Sequence, residues 1–207
     1  MIIGIPHSAI ALGVVKLAEQ TNRLVMPTAA ATAELTGKAC SAHSVHWVYD
    51  TYGQGKTIAN AIVKQGGDSW FFITVDYAFG HALEQNATEF VKAAGGKVLG
   101  SARHPLNNAD FSSYLLQAQG SGAKVIGLAN AGTDTTNAIK QANEFGITQA
   151  GEQLASLLMF LTDIDALGLD VAQGLVMTTG FYWDMNDQTR AWSKRFAALA
   201  SKNAMPS

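Results

Sequence analysis

Apolar segments of strand length alternate with amphipathic helical patterns through the middle of the chain. Residues 69–75 are nearly all apolar, end in a polar, glycine-containing break, and precede a helical pattern that runs to residue 94. The same unit recurs as an apolar segment at 124–129, a break at 130–133 and a helical pattern at 134–145. Strands that are apolar on both faces are typical of parallel sheets, because helices cover both sides. The pattern therefore predicts βαβ units with right-handed crossovers, which make an α/β fold.

The rest of the chain continues this alternation. We predict further helices at residues 9–20, 55–65, 111–120 and 188–201. We predict further strands at residues 1–5, 24–26, 97–103, 154–161 and 174–179, with an extended crossing segment at 43–52. Ser8 directly precedes the first helix, where serine is a preferred N-cap residue. Since no flexible linker divides the chain, we expect any domain boundary to be a crossing of strands near 47–53 and again near 178–184.

The amino-acid composition argues against several classes of protein and partner. Hydrophobic residues make up 48% of the 207 residues and charged residues 14%, which predicts a packed core and argues against disorder. The formal net charge is −2 and no Lys/Arg cluster is present, so the sequence argues against a nucleic-acid partner. No apolar segment reaches the length of a membrane span. The single Cys40 excludes a disulfide within the chain and leaves the redox compartment open.

The two ends of the chain resemble interior segments of a fold. Residues 1–5 have the character of a core strand that begins on the first residue, without a signal peptide, although chain termini are usually frayed and exposed. Residues 203–207 follow directly on the last helical pattern. We therefore expect this chain to be a piece of a longer protein, in which case the missing leader says nothing about localisation.

The sequence carries part of a phosphate-binding motif. Gly55-Lys56-Thr57 ends like a phosphate-binding loop, but Asp50 stands where that motif needs a glycine, and its carboxylate would repel a phosphate. The fingerprints of dinucleotide binding and of the hydrolase nucleophile elbow are absent. Ser8 lies on a strand-to-helix turn, where a nucleophile could sit, yet no base or acid is marked for it. We expect no cofactor and no catalytic residue, and we interpret Ser8 as a helix cap or a ligand contact.

Metal-binding and acid–base patterns are weak as well. His43 and His46 are three residues apart in a segment that we predict to be extended, which puts their side chains on opposite faces. We therefore predict no metal site. The carboxylate pairs Asp163/Asp165 and Asp184/Asp187 lie in regions of turn chemistry, where aspartate commonly accepts backbone hydrogen bonds. General acid–base catalysis stays open but has no support from the sequence.

The breaks after the predicted strands are the best candidates for a binding site. In parallel α/β folds, ligands bind at the loops that leave the carboxyl ends of strands. Ser8 offers a hydroxyl beside free backbone N–H groups at a helix start, an arrangement that suits a carboxylate. Residues 30–32 offer bare backbone and one hydroxyl, while residues 76–79 and 181–183 bring aromatic rings. Small polar contacts opposite aromatic surface predict a cleft for a small molecule, although each aromatic ring alone is explained by ordinary packing.

Four motifs in a fixed order give the chain a family resemblance. They are Gly4-Ile5-Pro6-His7-Ser8, Ala30-Ala31-Thr32-Ala33-Glu34-Leu35-Thr36, Asp76-Tyr77-Ala78-Phe79-Gly80, and Asn130-Ala131-Gly132-Thr133-Asp134 with Ile139-Lys140-Gln141-Ala142. Over essentially all 207 residues the chain resembles the substrate-binding proteins of branched-chain amino-acid-type ABC transporters, which have the type I periplasmic binding fold. The resemblance implies two Rossmann-like lobes with parallel sheets, joined by crossing strands. Residues 1–48 would be the latter part of lobe one, residues 49–178 lobe two, and residues 179–207 a return into lobe one.

The resemblance also implies a ligand site. In amino-acid-binding members, residues matching Ser8, Ala30 and Thr32 hold the ligand's carboxylate and ammonium groups. Such members usually have a tyrosine where Phe79 stands and an acidic residue near 160–163. Here Phe79 lacks the hydroxyl, and the strand end at residues 157–160 is apolar. These departures favour a carboxylate with an apolar or aromatic body. The expected ligand-binding residues are Ser8, Ala30, Ala31, Thr32, Phe79, Asn130, Phe160 and Tyr182.

The function that follows is capture of a small organic acid outside the cytoplasm and its delivery to an ABC transporter permease. By this comparison the ligand is an aromatic carboxylate or an apolar amino acid, the location is periplasmic or extracytoplasmic, and the protein is not an enzyme. Two alternatives remain, a ligand-sensing receptor domain of the same fold and an α/β enzyme acting on a small carboxylate. If the opening strands of lobe one are missing, an open sheet edge also predicts a strand-exchanged dimer.

Overall fold

The larger of two sheets contains five parallel strands. The structure is a computed structural model that describes residues 1–200. The strands lie in the order β4-β3-β5-β6-β7. Their bounds are Ser69–Val75 (β3), Lys97–His104 (β4), Val125–Ala129 (β5), Gln153–Ser156 (β6) and Val176–Met177 (β7). The parallel α/β arrangement that the alternating pattern predicts is therefore confirmed. We call the unit built on this sheet lobe two.

Helices cover both faces of the large sheet. One face carries α2 (Thr51–Lys64) and α3 (Ala78–Ala93), and the other carries α4 (Ser112–Gly120) and α5 (Thr133–Glu144). Successive side chains of β3 point to opposite faces, so Trp70 packs in one apolar core and Phe71 in the other. This explains why β3 is apolar throughout. Short helices α6 (Ile147–Ala150), α7 (Leu161–Leu167) and α8 (Leu169–Ala172) surround the later strands.

The smaller sheet, the centre of lobe one, pairs two parallel strands. These are β1 (Ile2–Gly4) and β2 (Val25–Pro27), joined by α1 (Ser8–Gln20) and followed by a 3-10 turn at Ala33–Leu35. Their core holds Ala11, Val15, Val25, Ala30 and Leu35. Ile2 and Ile3 are 43% and 57% exposed, so the described part of lobe one leaves apolar surface of β1 uncovered.

The first of the two predicted crossings connects the lobes. The first leaves lobe one beside β2, where Val45 and Trp47 donate backbone hydrogen bonds to Val25 and Pro27. It ends at α2, which Asp50 caps by accepting from the Gly53 N–H at 2.7 Å. The second crossing follows β7 and leads to α9 (Asp187–Leu199). The division at residues 48 and 178 stays a prediction.

Several predicted boundaries are wrong for local reasons. Ser8 does not cap α1; it is the first helical residue, His7 is the N-cap, and the Ser8 hydroxyl bonds elsewhere. The predicted crossing through residue 52 ends earlier because the Asp50 cap starts α2 at Thr51. The predicted strand at 154–161 stops at Ser156, since its apolar continuation turns into the loop before α7. The predicted strand at 174–179 is reduced to β7, and the predicted helix at 188–201 has its last residue outside the described residues.

The position of Gly55 excludes a phosphate-binding loop at residues 55–57. Gly55, Lys56 and Thr57 lie inside α2, not in a loop. A Cβ on Gly55 would lie 2.8 Å from the Ala87 backbone nitrogen, so this glycine permits the close approach of α2 and α3. None of the helices described between residues 1 and 200 is long and apolar enough to cross a membrane.

Candidate ligand-binding site

Ser8 and Thr32 meet at the carboxyl ends of the two strands of lobe one. Ser8 follows β1 and Thr32 follows β2, and neighbouring parallel strands end at the same sheet edge. The Thr32 N–H donates to Ser8 Oγ at 3.3 Å. Both side chains are buried, at 1% and 0% exposure. The sequence prediction that these two residues lie together at a strand-end edge therefore agrees with the geometry.

The two hydroxyl groups keep their own protons available. Ser8 Oγ accepts from Thr32, and Thr32 Oγ1 accepts from the Glu34 N–H at 3.4 Å. Among residues 1–200, neither hydroxyl has an acceptor for its own O–H. A buried O–H group without an acceptor is costly, and a carboxylate oxygen is its best partner. The pair is therefore suited to hold an anionic group.

The loop at residues 30–33 is fixed by partners from other segments. His46 Nε2 lies 2.7 Å from the Ala30 carbonyl oxygen, and the Thr51 N–H donates to the Ala31 carbonyl oxygen at 2.8 Å. Thr51 Oγ1 accepts from the Ala33 N–H at 3.0 Å and donates to Asn86 Oδ1 at 2.9 Å. Since Thr51 begins α2, it connects the loop of lobe one to lobe two.

Replacing Thr51 by valine should loosen this loop. The change keeps the shape but removes the hydroxyl, so the Ala33 N–H and Asn86 Oδ1 each lose a partner. We expect the free energy of unfolding to fall by about 1 kcal/mol. Urea denaturation measures this loss, and Thr51→Ser, which keeps the hydroxyl, should recover most of it. If Thr51→Val and Thr51→Ser were equally stable, the hydroxyl would not hold the loop.

An apolar cluster brings several predicted residues together. Ala31, from lobe one, belongs to the same buried cluster as Phe79, at 4% exposure. Phe160 packs against this cluster, and its ring lies 5.8 Å from that of Tyr49. Tyr77 also packs against it. The structure therefore places one wall of apolar and aromatic side chains next to residues 31–32, although contact of any of them with a ligand stays a prediction.

Tyr49 lies in this wall at the first crossing. Burial, and next the Asp163 carboxylate, raise the pKa of Tyr49 to about 12, so its phenol stays neutral. A Cβ on Gly180 would lie 2.6 Å from Tyr49 Cδ1, which shows how closely the two crossings approach each other. The Asp163 carboxylate itself accepts from the Phe160 N–H at 2.9 Å, as turn chemistry predicts.

Asn130 is buried, with both ends of its amide engaged. Its Oδ1 accepts from Thr135 Oγ1 at 2.7 Å, and its Nδ2 lies 3.1 Å from His104 Nε2. His104 Nδ1 lies 2.9 Å from the Pro105 carbonyl oxygen. Nδ1 must therefore carry the proton and Nε2 must accept from the Asn130 amide, which is the neutral imidazole. Asn130 thus shapes the end of β5, and its expected contact with a ligand stays a prediction.

The neutral His104 predicts a pH-dependent stability. Burial lowers the pKa of His104 below its ordinary value. The unfolded chain then takes up a proton near pH 6.5, while the folded chain takes it up only at lower pH, so stability falls as the pH drops below about 6.5. Urea denaturation between pH 7.5 and roughly pH 5 should show this loss, and His104→Gln should reduce its slope. An equal slope in both proteins would contradict the assignment.

Tyr182 is the most exposed of the predicted site residues. It is 39% exposed, and its ring lies 6.2 Å from that of Trp183. Its place in the site stays a prediction.

His43 and His46, which we predicted not to share a metal ion, have different hydrogen-bond partners. His43 bonds to Asn22 and His46 bonds to the Ala30 carbonyl oxygen. Among residues 1–200, no group of three or more His, Cys, Asp or Glu side chains is placed to hold a metal ion.

Comparison with known proteins decides the family. The sequence model of the family described as periplasmic binding protein matches residues 1–207. The chain belongs to the periplasmic binding protein family. Its α/β architecture with parallel sheets is that of the type I fold, as the sequence predicts. No curated protein matches the sequence.

Solved structures of this family resemble the chain closely. A periplasmic binding protein from Burkholderia mallei is 50% identical, with a TM-score of 0.91, over 99% of this chain and 54% of that one. A branched-chain amino acid ABC transporter periplasmic ligand-binding protein from Burkholderia xenovorans is 35% identical, with a TM-score of 0.85, over 99% of this chain and 54% of that one. An R. palustris solute-binding protein in complex with 4-hydroxybenzoate is 28% identical, with a TM-score of 0.65, over 74% of this chain and 42% of that one. The chain therefore spans about half the length of these relatives.

Some residues of the site carry no clear signal in the sequence. Thr51 lies in the segment predicted as an extended crossing, and only the fold shows that it begins α2 and reaches Ala33 and Asn86. His104 lies at the end of β4, an edge strand, yet it is fully buried against the Asn130 amide. His7 directly precedes Ser8, and nothing in the sequence indicates that its ring stacks on that of Tyr77.

Proposed function

We propose that the protein containing this chain captures a small organic acid in a cleft between two lobes. The acid's carboxylate would bind at Ser8 and Thr32, and its apolar or aromatic body would lie against Phe79, Phe160 and their neighbours. The observation that carries the proposal is the pair of buried hydroxyls whose protons lack an acceptor among residues 1–200. A neutral sugar or a cation would use these two donors less well than an acid.

Closure of the two lobes would couple binding to a change of shape. Lobe one supplies the hydroxyls and lobe two supplies the aromatic wall, so the ligand makes its full set of contacts only when the lobes are together. Binding would then shift the population toward the closed form. The crossings at residues 44–50 and 178–186 are the places where the backbone would bend, and a cavity of about 400 Å³ lies between them beside Gln54 and Thr178.

The relatives support this class of ligand and its use in transport. The 28% identical R. palustris protein holds 4-hydroxybenzoate, and the 35% identical Burkholderia xenovorans protein is named for branched-chain amino acid transport. We therefore propose an aromatic carboxylate, or else an apolar amino acid, as the ligand, an extracytoplasmic location, and delivery to an ABC transporter permease. A receptor domain of the same fold would use the same cleft, and the flanking sequence of the whole gene product distinguishes the two. We propose no catalytic activity.

A ligand panel tests the proposal. The complete gene product is titrated by calorimetry with 4-hydroxybenzoate, benzoate and leucine, and each acid is matched by its neutral amide. We expect at least one acid to bind with a Kd well below 1 mM and at least tenfold more tightly than its amide. Binding should also raise the melting temperature, because the ligand binds the native state. Equal binding of an acid and its amide, or conversion of the bound acid detected by mass spectrometry, would contradict the proposal.

For residues 1–207 expressed on their own, we also propose self-association through β1. The exposure of Ile2 and Ile3 and the two-strand sheet of lobe one support pairing with a second copy. Sedimentation velocity should show a concentration-dependent dimer. Ile3→Lys, on the exposed strand, should shift the population to monomer; a monomer at high concentration without this change would contradict the idea.

A further inference from the structure

His7 and Tyr77 face each other across the two lobes. His7 precedes α1 in lobe one and Tyr77 precedes α3 in lobe two, each as the N-cap residue with an extended backbone. Their rings are stacked, with centroids 4.3 Å apart and planes inclined by 29°. Neither side chain caps its own helix. The two rings therefore contact each other between the lobes.

The His7 ring also has an unused polar atom. His7 Nδ1 is buried and has no hydrogen-bond partner among residues 1–200. The next residue is Ser8, whose hydroxyl proton also lacks an acceptor in that part of the chain. A buried nitrogen without a partner costs free energy unless something else bonds to it. The His7 imidazole thus directly precedes Ser8 in the chain, and Ser8 Oγ in turn accepts from the Thr32 N–H. Nδ1 donates a hydrogen bond when it carries the ring proton.

Tyr77 is held as a neutral ring beside His7. Burial, and next the Asp134 carboxylate, raise the pKa of Tyr77. That carboxylate is itself occupied, because it accepts from the backbone N–H groups of Asn107 and Asn108 at 3.2 and 2.8 Å. A neutral phenol does not repel an acid, and its flat face can hold the imidazole in one orientation.

We propose that His7 is a ligand-binding residue whose Nδ1 meets the ligand's acidic group, and that Tyr77 positions the His7 ring when the lobes close. This inference rests on the function proposed above and adds to it a residue that selects for an acid. In the open form His7 lacks its stacking partner; in the closed form the ring is fixed and Nδ1 reaches the acid beside Ser8. Binding of the acid and closure of the lobes are then coupled through one side chain.

His7→Phe separates the polar role from the packing role. Phenylalanine keeps a flat ring that can stack on Tyr77 but removes Nδ1. His43→Phe is the matched control, since His43 Nδ1 is likewise buried without a partner among residues 1–200, yet His43 lies at the other end of β2, where its carbonyl oxygen accepts from Val25. Each variant of the complete gene product is titrated with two pairs of probes: 4-hydroxybenzoate with 4-hydroxybenzamide, and leucine with leucinamide.

We expect His7→Phe to weaken binding of the acid at least tenfold and to leave binding of the matching amide within threefold of wild type. We expect His43→Phe to change the affinity for neither the acid nor the amide. An equal loss of affinity for acid and amide would mean that His7 contributes only packing. An unchanged affinity for the acid would mean that His7 is not part of the site. If neither acid binds the wild-type protein, the proposed function fails together with this inference; if an acid binds and His7→Phe binds it equally well, only this inference fails.

A measurement on the wild-type protein covers the case in which His7→Phe does not fold. The imidazole of His7 is observed by ¹⁵N NMR, with the signal assigned through its loss in His7→Gln, and the acid is added to saturation. We expect the Nδ1 signal to move by several parts per million on addition of the acid and much less on addition of the amide. An unchanged Nδ1 signal would overturn the inference.

Discussion

Gly80→Ala should destabilise the protein by about 2–3 kcal/mol, because the first turn of α3 lies directly against the end of β3. A Cβ on Gly80 would lie 2.1 Å from the Val75 carbonyl oxygen and 2.8 Å from Val75 Cγ1. The first of these atoms belongs to the backbone of a central strand and cannot move aside cheaply. The helix would have to shift, and Tyr77 and Phe79 would shift with it. Ligand affinity should therefore fall together with stability.

Gly13→Ala is the matched control. Gly13 lies in the interior of α1, and nothing lies within 4 Å of the position its Cβ would take. Alanine favours the helix over glycine there, so this change should stabilise the protein by roughly 0.5–1 kcal/mol. Urea denaturation of the complete gene product gives both values. Similar free energies of unfolding for the two variants would mean that Gly80 does not set the packing of α3 on the sheet.

Thr32→Val should weaken binding of the acid by about 1–3 kcal/mol, which corresponds to a Kd roughly 5- to 150-fold higher. The change removes the O–H donor and keeps the volume of the side chain. It also removes the acceptor of the Glu34 N–H, which caps the 3-10 turn. Because that hydrogen bond is long, at 3.4 Å, we expect a much smaller loss of stability than of affinity.

Thr32→Ser separates these two effects. Serine retains the hydroxyl, so affinity should stay within about threefold of wild type if the donor is what matters. Calorimetry gives the affinities and urea denaturation gives the stabilities of the same preparations. If Thr32→Val bound the acid as tightly as Thr32→Ser does, Thr32 would have no part in holding the carboxylate.

The arrangement of strands could be predicted because it depends on local patterns. Residues 69–75 and 125–129 are apolar on both faces, and both became central strands of the large sheet. The edge at which Ser8 and Thr32 meet followed from the rule for parallel strands, even though the role given to Ser8 at the helix start was wrong. A hydroxyl beside a helix can cap it or bond to a distant segment, and the sequence does not distinguish these outcomes.

What the sequence could not supply are contacts between distant segments. The stack of His7 on Tyr77 joins two helix starts that lie seventy residues apart in the chain (77 minus 7). Thr51 reaches Asn86, and His104 reaches Asn130, through the packing of whole elements. Periodicity reports which face of an element is buried and not which residue lies opposite, so these partners became visible only in the folded chain.

A crystal structure of the complete gene product with its tightest-binding acid tests the central claim most directly. The account predicts closed lobes, with the two carboxylate oxygens within about 3 Å of Ser8 Oγ and Thr32 Oγ1 and the body of the acid against the aromatic wall. An acid bound elsewhere, or in this cleft with its carboxylate turned away from both hydroxyls, would contradict it.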